Sequence, residues 1–214
     1  KVYDAKAIAA FINHLDSDDA ADILNELPVK ESEEIIVLIE PEIRTQVVEL
    51  LRYDENVAGG LMAKELIKAR FNWTIAQAVD EVRRMAATGT KFYAVYIVDD
   101  NDKLMGRLPL QKLILPPDAS APVGDLIEDG ELVAVETYMP DYEVAEMMTK
   151  YDLESIPVVN VQGQLVGRIT IDDIVDVINE QADADRQAMT GIAEDVEEDD
   201  SVWKNTAARW PWHV

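Results

Sequence analysis

Apolar positions in the first quarter of the chain recur at helical spacing. Ile8, Phe11, Ile12 and Leu15 form one such stripe, and Ile23, Leu24 and Leu27 form another. The stretch "LDSDDAADILNELP" offers Asp and Ser at a helix start and stops at Pro28. Leu15, Leu27, Ile39 and Leu51 stand twelve residues apart, with Pro28 and Pro41 close behind the second and third. This pattern predicts short amphipathic helices over 1–52, stacked as a small superhelical array rather than one rod.

The pattern changes after residue 52. Over 53–190 helical stretches alternate with short β-branched runs. "FYAVYIVDD" (92–100) and "KLMGRL" (103–108) read as two strands of a hairpin. "IPVVNVQGQLVGRIT" (156–170) reads as a second hairpin, turning at "QG". "QKLIL" and "DDIVDVINEQ" follow as helices. The two hairpins superpose at a constant offset of 61 residues, which places Gly106-Arg107 on Gly167-Arg168 and Leu104 on Leu165. The helices ahead of them, marked by Ala78 and Ala145, are offset by 67, so the first copy carries six extra residues. A duplicated β-α-β-β-α unit predicts two repeats packed as one pseudo-symmetric domain. The expected class is α+β, with a helical domain at 1–52, a first repeat with its linker at 53–125, a second repeat at 126–190, and an acidic connecting helix at 191–214.

Charge narrows the partners. Asp and Glu number 43 against 19 Lys and Arg, a formal charge of −24. A field of that sign repels phosphates and anionic lipid, so nucleic acid is not an expected partner. It also makes the compact state repel itself, which bound cations relieve. Cysteine is absent, so disulfides and thiolate metal sites are excluded. No apolar run reaches the about 20 residues that span a bilayer. The chain starts at Lys1 and ends on "SVWKNTAARWPWHV" (201–214), where Lys204 and Arg209 follow the acidic "EDVEEDD". Basic and Trp-rich segments suit the cytosolic membrane interface, so this end is expected to lead into a membrane region.

The two copies resemble cystathionine-β-synthase (CBS) repeats, whose signature stands in the second as Pro157-Val158-Val159, Gly163, Leu165-Val166-Gly167 and Thr170-Ile171-Asp172-Asp173-Ile174. The flanks are similar to MgtE-type magnesium transporters. "LLRYDENVAGGLM" (50–62) resembles the segment joining their helical N domain to the CBS pair, and 148–191 follows that family to its Met-x-Gly. The resemblance implies the cytosolic regulatory part of a multi-pass membrane protein, on the cytoplasmic face of the inner membrane. It implies a homodimer through the CBS pairs, covalently continuous with a pore domain. Mg²⁺ between N domain, CBS domain and connecting helix would hold that pore shut.

The residues carried over for Mg²⁺ are Asp152, Asp173 and Asp176, with Glu143, Glu180 and Asp185 nearby. Mg²⁺ takes oxygen ligands, keeps several waters and often uses only one or two carboxylates, so acids on two facing surfaces suffice. The same residues read locally as capping, since Thr170 and Asp173 fit a capping box and first-turn acids suit the helix dipole. Asn56, Asn179, Gln181 and Ala184 stand where the family commonly carries acids, and each removes a charge from a potential site. Some family members hold adenine nucleotide such as ATP in the CBS cleft. The resemblance assigns its ribose to Thr170 and Asp173, with Ile156 and Pro157 lining the cleft. Pro109 and Lys112 occupy the equivalent grip in the first repeat and cannot serve it.

Neither His14 nor His213 sits in a Ser/His/Asp grouping, and no Gly-rich phosphate loop is present, so an enzyme is not expected. Three readings remain: a Mg²⁺-sensing gate of a transporter, an adenine-nucleotide-sensing CBS module, and an acidic scaffold.

Overall fold

The computed structural model describes residues 4–114, 118–128, 130 and 132–207, with side chains up to residue 190. The terminal segment that carries Trp210 and Trp212 lies outside these residues. By its internal contacts the chain divides into two units after Ile174.

The first unit opens with four short helices, α1 (Ala5–Ile12), α2 (Ser17–Glu26), α3 (Val29–Ile36) and α4 (Pro41–Leu50). α1 packs on α3 and α2 on α4, around Ile12, Leu24, Ile35, Ile39 and Val47. The prolines act as the sequence suggests. Pro28 precedes the first turn of α3 and Pro41 starts α4, where a missing N–H costs nothing. A single-turn helix, α5 (Ala58–Leu61), leads into the repeats.

Each repeat is a parallel strand, a helix and an antiparallel hairpin. In the first, β1 (Ile67–Arg70) pairs in parallel with β2 (Ala94–Val98), which pairs antiparallel with β3 (Leu104–Pro109); α6 (Ile75–Ala86) connects β1 to β2. In the second, β4 (Val135–Glu136), α7 (Asp141–Lys150), β5 (Ser155–Val159) and β6 (Leu165–Thr170) repeat the plan. α6 begins at a capping box, with Thr74 and Gln77 satisfying each other's end of the first turn.

The extra residues of the first copy lie between α6 and β2. There the helix has 12 residues against 10 in α7, and its connector is longer. The two hairpins meet edge to edge: Leu104 N–H donates to the Gly163 carbonyl and Leu165 N–H to the Asp102 carbonyl. Gly163 takes the left-handed conformation the turn needs (φ 78°), whereas Asp102 adopts it in the first copy with a side chain attached (φ 61°). Tyr96, 1% exposed, joins the sheets through a 2.8 Å hydrogen bond between its hydroxyl and Ser155 Oγ.

One expectation needs correction. "QKLIL" does not form an α-helix; the chain makes only a 3₁₀ turn at Leu110–Leu113. Pro109 enters that turn, and Pro116-Pro117 follow closely in sequence, leaving too few N–H donors for a regular helix. Its counterpart is α8 (Ile171–Ala207), of which only the start belongs to the first unit. Among the described residues no helix is long and apolar enough to cross a membrane.

Candidate functional site: an acidic cleft against the second repeat

The linker that follows α5 forms an extra edge on β6. Ala63 N–H donates to the Arg168 carbonyl at 2.8 Å, and Arg168 N–H to the Ala63 carbonyl at 3.0 Å. Such closeness requires Gly167. A Cβ there would stand 2.7 Å from Met62 Sδ and 2.8 Å from the Ala63 carbonyl oxygen. The Arg168 guanidinium, on a residue only 5% exposed, donates from Nε to the Glu65 carbonyl at 2.6 Å and lies 5.5 Å from the Phe92 ring centre.

Glu65 then reaches the helical domain. Its carboxylate accepts from Ser17 N–H at 3.0 and 3.1 Å and from the Ser17 hydroxyl at 2.7 Å; Lys64 N–H donates to that hydroxyl at 2.8 Å. Ser17 is fully buried. The start of α2 is therefore capped by a residue far along the chain, and not by Asp16, whose side chain makes no cap bond. Asp16 accepts instead from the Thr90 hydroxyl at 2.9 Å.

These contacts enclose a cleft of about 490 Å³ lined by residues of three regions. The start of α2 contributes Asp16, Asp18 and Asp19; the α6–β2 connector contributes Thr88, Thr90 and Lys91; the β6–α8 junction contributes Arg168, Thr170, Asp172 and Asp173. Asp173 Oδ2 accepts from Thr170 N–H at 2.8 Å and from the Thr170 hydroxyl at 2.9 Å. Asp18 is less well supported: the Asp19 backbone N–H bonds its carboxylate, but its Oδ1 is buried without a hydrogen-bond partner. Burial first, then the negative charge of Asp173, pushes the Asp18 carboxyl up to about 7, with Asp19 and Glu65 adding to the rise. Burial also raises Asp173, against the opposing hydrogen bonds from Thr170 and the charge of Arg168. Asp22 is raised by burial and by Asp19.

Of the residues the sequence points to, Asp173 and Thr170 line this cleft. Ile156 is fully buried and Pro157 pairs with Arg168 inside the β5–β6 hairpin; neither is among the lining residues. Glu143 lies exposed in the first turn of α7, and Asp152 follows α7 in a left-handed conformation (φ 51°). Asp176, Glu180 and Asp185 are exposed on α8 in the second unit. Among the described residues no three or more His, Asp and Glu side chains are grouped to hold a metal ion. Sequence reasoning misses Asp18 and Asp19. Their local signal is that of ordinary first-turn acids, and only the docking of α2 against the linker sets them opposite Asp173.

In the first repeat a cleft of about 320 Å³ lies along β3, lined by Arg107, Lys112, Leu126, Ile127 and Leu153 among others. Lys112 is ion-paired with Glu128, and Arg107 with Glu154 at 3.5 Å.

A pair of repeats built on this plan, joined to a short-helix domain through a shared acidic cleft, defines a fold of the CBS-pair class. Residues 1–56 match the model of the MgtE intracellular N domain, and residues 123–180 match that of the CBS domain. The chain belongs to the MgtE family. It is 34% identical over 171 residues to the magnesium transporter MgtE of Thermus thermophilus, covering 78% of this chain and 38% of that protein. It is similar to the crystal structure of the soluble part of a magnesium transporter, with a TM-score of 0.79 and 28% identity over 84% of this chain and 70% of that one. It is also similar to the cytosolic domain of the Mg²⁺ channel MgtE crystallised in complex with ATP, with a TM-score of 0.75 and 34% identity over 79% and 69% of the two chains. The chain thus spans well under half of the length of that curated relative.

Proposed function

We propose that this chain is the cytosolic Mg²⁺-sensing region of a membrane magnesium transporter, and that the acidic cleft between α2 and the second repeat is its sensor. The observation that carries the reading is Asp18: a carboxylate partly buried beside Asp173 with one oxygen lacking any donor. Such a group gains from a cation that supplies charge and accepts oxygen ligands without a dense cage. The cleft fits Mg²⁺ on that ground, with Asp18 and Asp173 as the side chains that would hold it. A divalent ion there offsets the repulsion between α2 and the β6–α8 junction. Without it, that repulsion favours separation of the helical domain from the repeats. In the whole protein, a homodimer formed through the CBS pairs would pass this change to a pore continuous with the chain. Asp176, Glu180 and Asp185 on α8 stay candidates for further sites, as do Glu143 and Asp152 on the second repeat.

Calorimetric titration with MgCl₂ tests the site. The chain is expected to bind Mg²⁺, and Asp18→Asn and Asp173→Asn are each expected to weaken binding at least tenfold. Unchanged binding in both variants contradicts the assignment.

Adenine-nucleotide sensing is a second reading, and one observation favours it. The first-repeat cleft sets Arg107 and Lys112 against the apolar Leu126, Ile127 and Leu153, and a phosphate entering it would exchange with the acids Glu154 and Glu128 that now hold those cations. The second-repeat cleft suits a nucleotide less, because Asp16, Asp18 and Asp19 face the Thr170–Asp173 pair and would oppose phosphate charge. A rise in Tm with ATP that is lost in Lys112→Ala supports this reading; no rise with ATP rejects it.

A further inference from the structure

Asp16, Asp18 and Asp19 line one cleft with Asp172 and Asp173, and Lys91 and Arg168 stand among them. Beside these charges, uncharged donors also tie α2 to the repeats. Glu65 grips the α2 N-terminus through three hydrogen bonds from Ser17, while its own carbonyl is held by Arg168 on β6. The donors to the Glu65 carboxyl are the otherwise unused N–H and hydroxyl of a fully buried serine, and it faces the positive end of a helix dipole. Lys64 N–H completes the Ser17 hydroxyl, so no polar group of the contact is left open.

We infer that the Ser17–Glu65 contact is a metal-independent latch that sets the Mg²⁺ concentration at which the helical domain docks. This inference rests on the sensing reading above. Docking is then a balance of two terms. Repulsion centred on Asp18 opens the cleft, the latch closes it, and Mg²⁺ needs to supply only the difference between them. Glu65 is a positioning residue here and not a proposed ligand. Its sign separates it from the other acids. Were it one more repelling carboxylate beside Asp18, its removal would tighten docking. As a latch, its removal loosens docking.

The absence of cysteine allows a direct test on the whole chain. Val29 and Val161, 75% and 78% exposed on the helical domain and the second repeat, are replaced (Val29→Cys, Val161→Cys) and labelled for energy transfer. Transfer is followed in chelator and across a MgCl₂ titration at constant ionic strength. Glu65→Ala is expected to lower transfer in chelator and to raise the Mg²⁺ midpoint about tenfold, equivalent to about 1.4 kcal/mol, while the plateau at saturating Mg²⁺ is unchanged. Ser17→Ala is expected to act in the same direction, and Glu65→Gln, which keeps one acceptor oxygen, to recover part of the shift. The melting temperature of the repeats should not move, which separates a latch from general destabilisation. An unchanged or lowered midpoint in Glu65→Ala and Ser17→Ala overturns the latch. Should the parent chain show no Mg²⁺ response, the sensing reading fails; the chelator arm alone then decides the latch, which falls if transfer there is the same in all variants.

Discussion

Asp18 near the start of α2 and Asp173 in the first turn of α8 line one cleft, but only Asp173 is satisfied. Thr170 gives Asp173 two hydrogen bonds, while Asp18 keeps a buried oxygen with none. The asymmetry makes Asp18 the group whose charge is least tolerated when the helical domain is docked. Replacing it with Asn removes that charge and nearly preserves the shape. Asp18→Asn is expected to stabilise the metal-free chain by about 1–2 kcal/mol, at the scale of an uncompensated buried polar group. Denaturant unfolding in chelator measures this, and a loss of stability would count against the repulsion argument.

The same carboxyl predicts a pH dependence. Its folded pKa is raised from 3.8 to about 7, so the folded chain holds the proton more tightly than the unfolded chain. Stability from this group is complete below about pH 4 and is lost as pH rises towards 7. Metal-free unfolding free energies of the parent chain, relative to those of Asp18→Asn, should therefore fall between pH 4 and 7 and level off above. A relative rise over that interval contradicts the assigned cause.

Gly167 is expected to tolerate no side chain. Met62 and Ala63 leave less than 3 Å for a Cβ, and one of the obstructing atoms is backbone. Gly167→Ala should cost about 1–3 kcal/mol by overpacking and should loosen the linker that carries Glu65. Thermal unfolding measures the cost, and hydrogen exchange at Ala63 N–H reports the loosening.

Tyr96→Phe removes the hydroxyl that joins the two sheets and leaves buried Ser155 Oγ without that partner. A loss of about 1–2 kcal/mol is expected, with no change in Mg²⁺ affinity, because Tyr96 is not among the residues that line the acidic cleft. Chemical denaturation and calorimetry on one variant check both halves.

The repeat was readable in the sequence because each hairpin carries its own alternation and the same Gly-Arg pair. The 61-residue offset holds in the structure, from Ala94 to Ser155 and from Leu104 to Leu165. The short helices were readable too, since Pro28 and Pro41 punctuate a clear apolar period. The 3₁₀ turn at Leu110–Leu113 was not, because a segment as short as Leu-Gln-Lys-Leu suits either helix type and the flanking prolines decide. Asp173 could be marked from the sequence through the family motif. Asp18 could not, because an acid in a first helical turn is common and its partner arrives only by tertiary docking. Glu65 was equally hidden, since a helix cap is sought within a few residues of Ser17 and this one comes from the linker.

The central claim is that Mg²⁺, and not ionic strength, closes the acidic cleft. Small-angle scattering of the chain, titrated with MgCl₂ while NaCl holds ionic strength constant, measures it most directly. The account predicts a radius of gyration that falls with millimolar Mg²⁺, stays level with matched Na⁺, and loses its Mg²⁺ dependence in Asp18→Asn/Asp173→Asn. Equal compaction by both salts, or an undiminished Mg²⁺ response in the double variant, would contradict it.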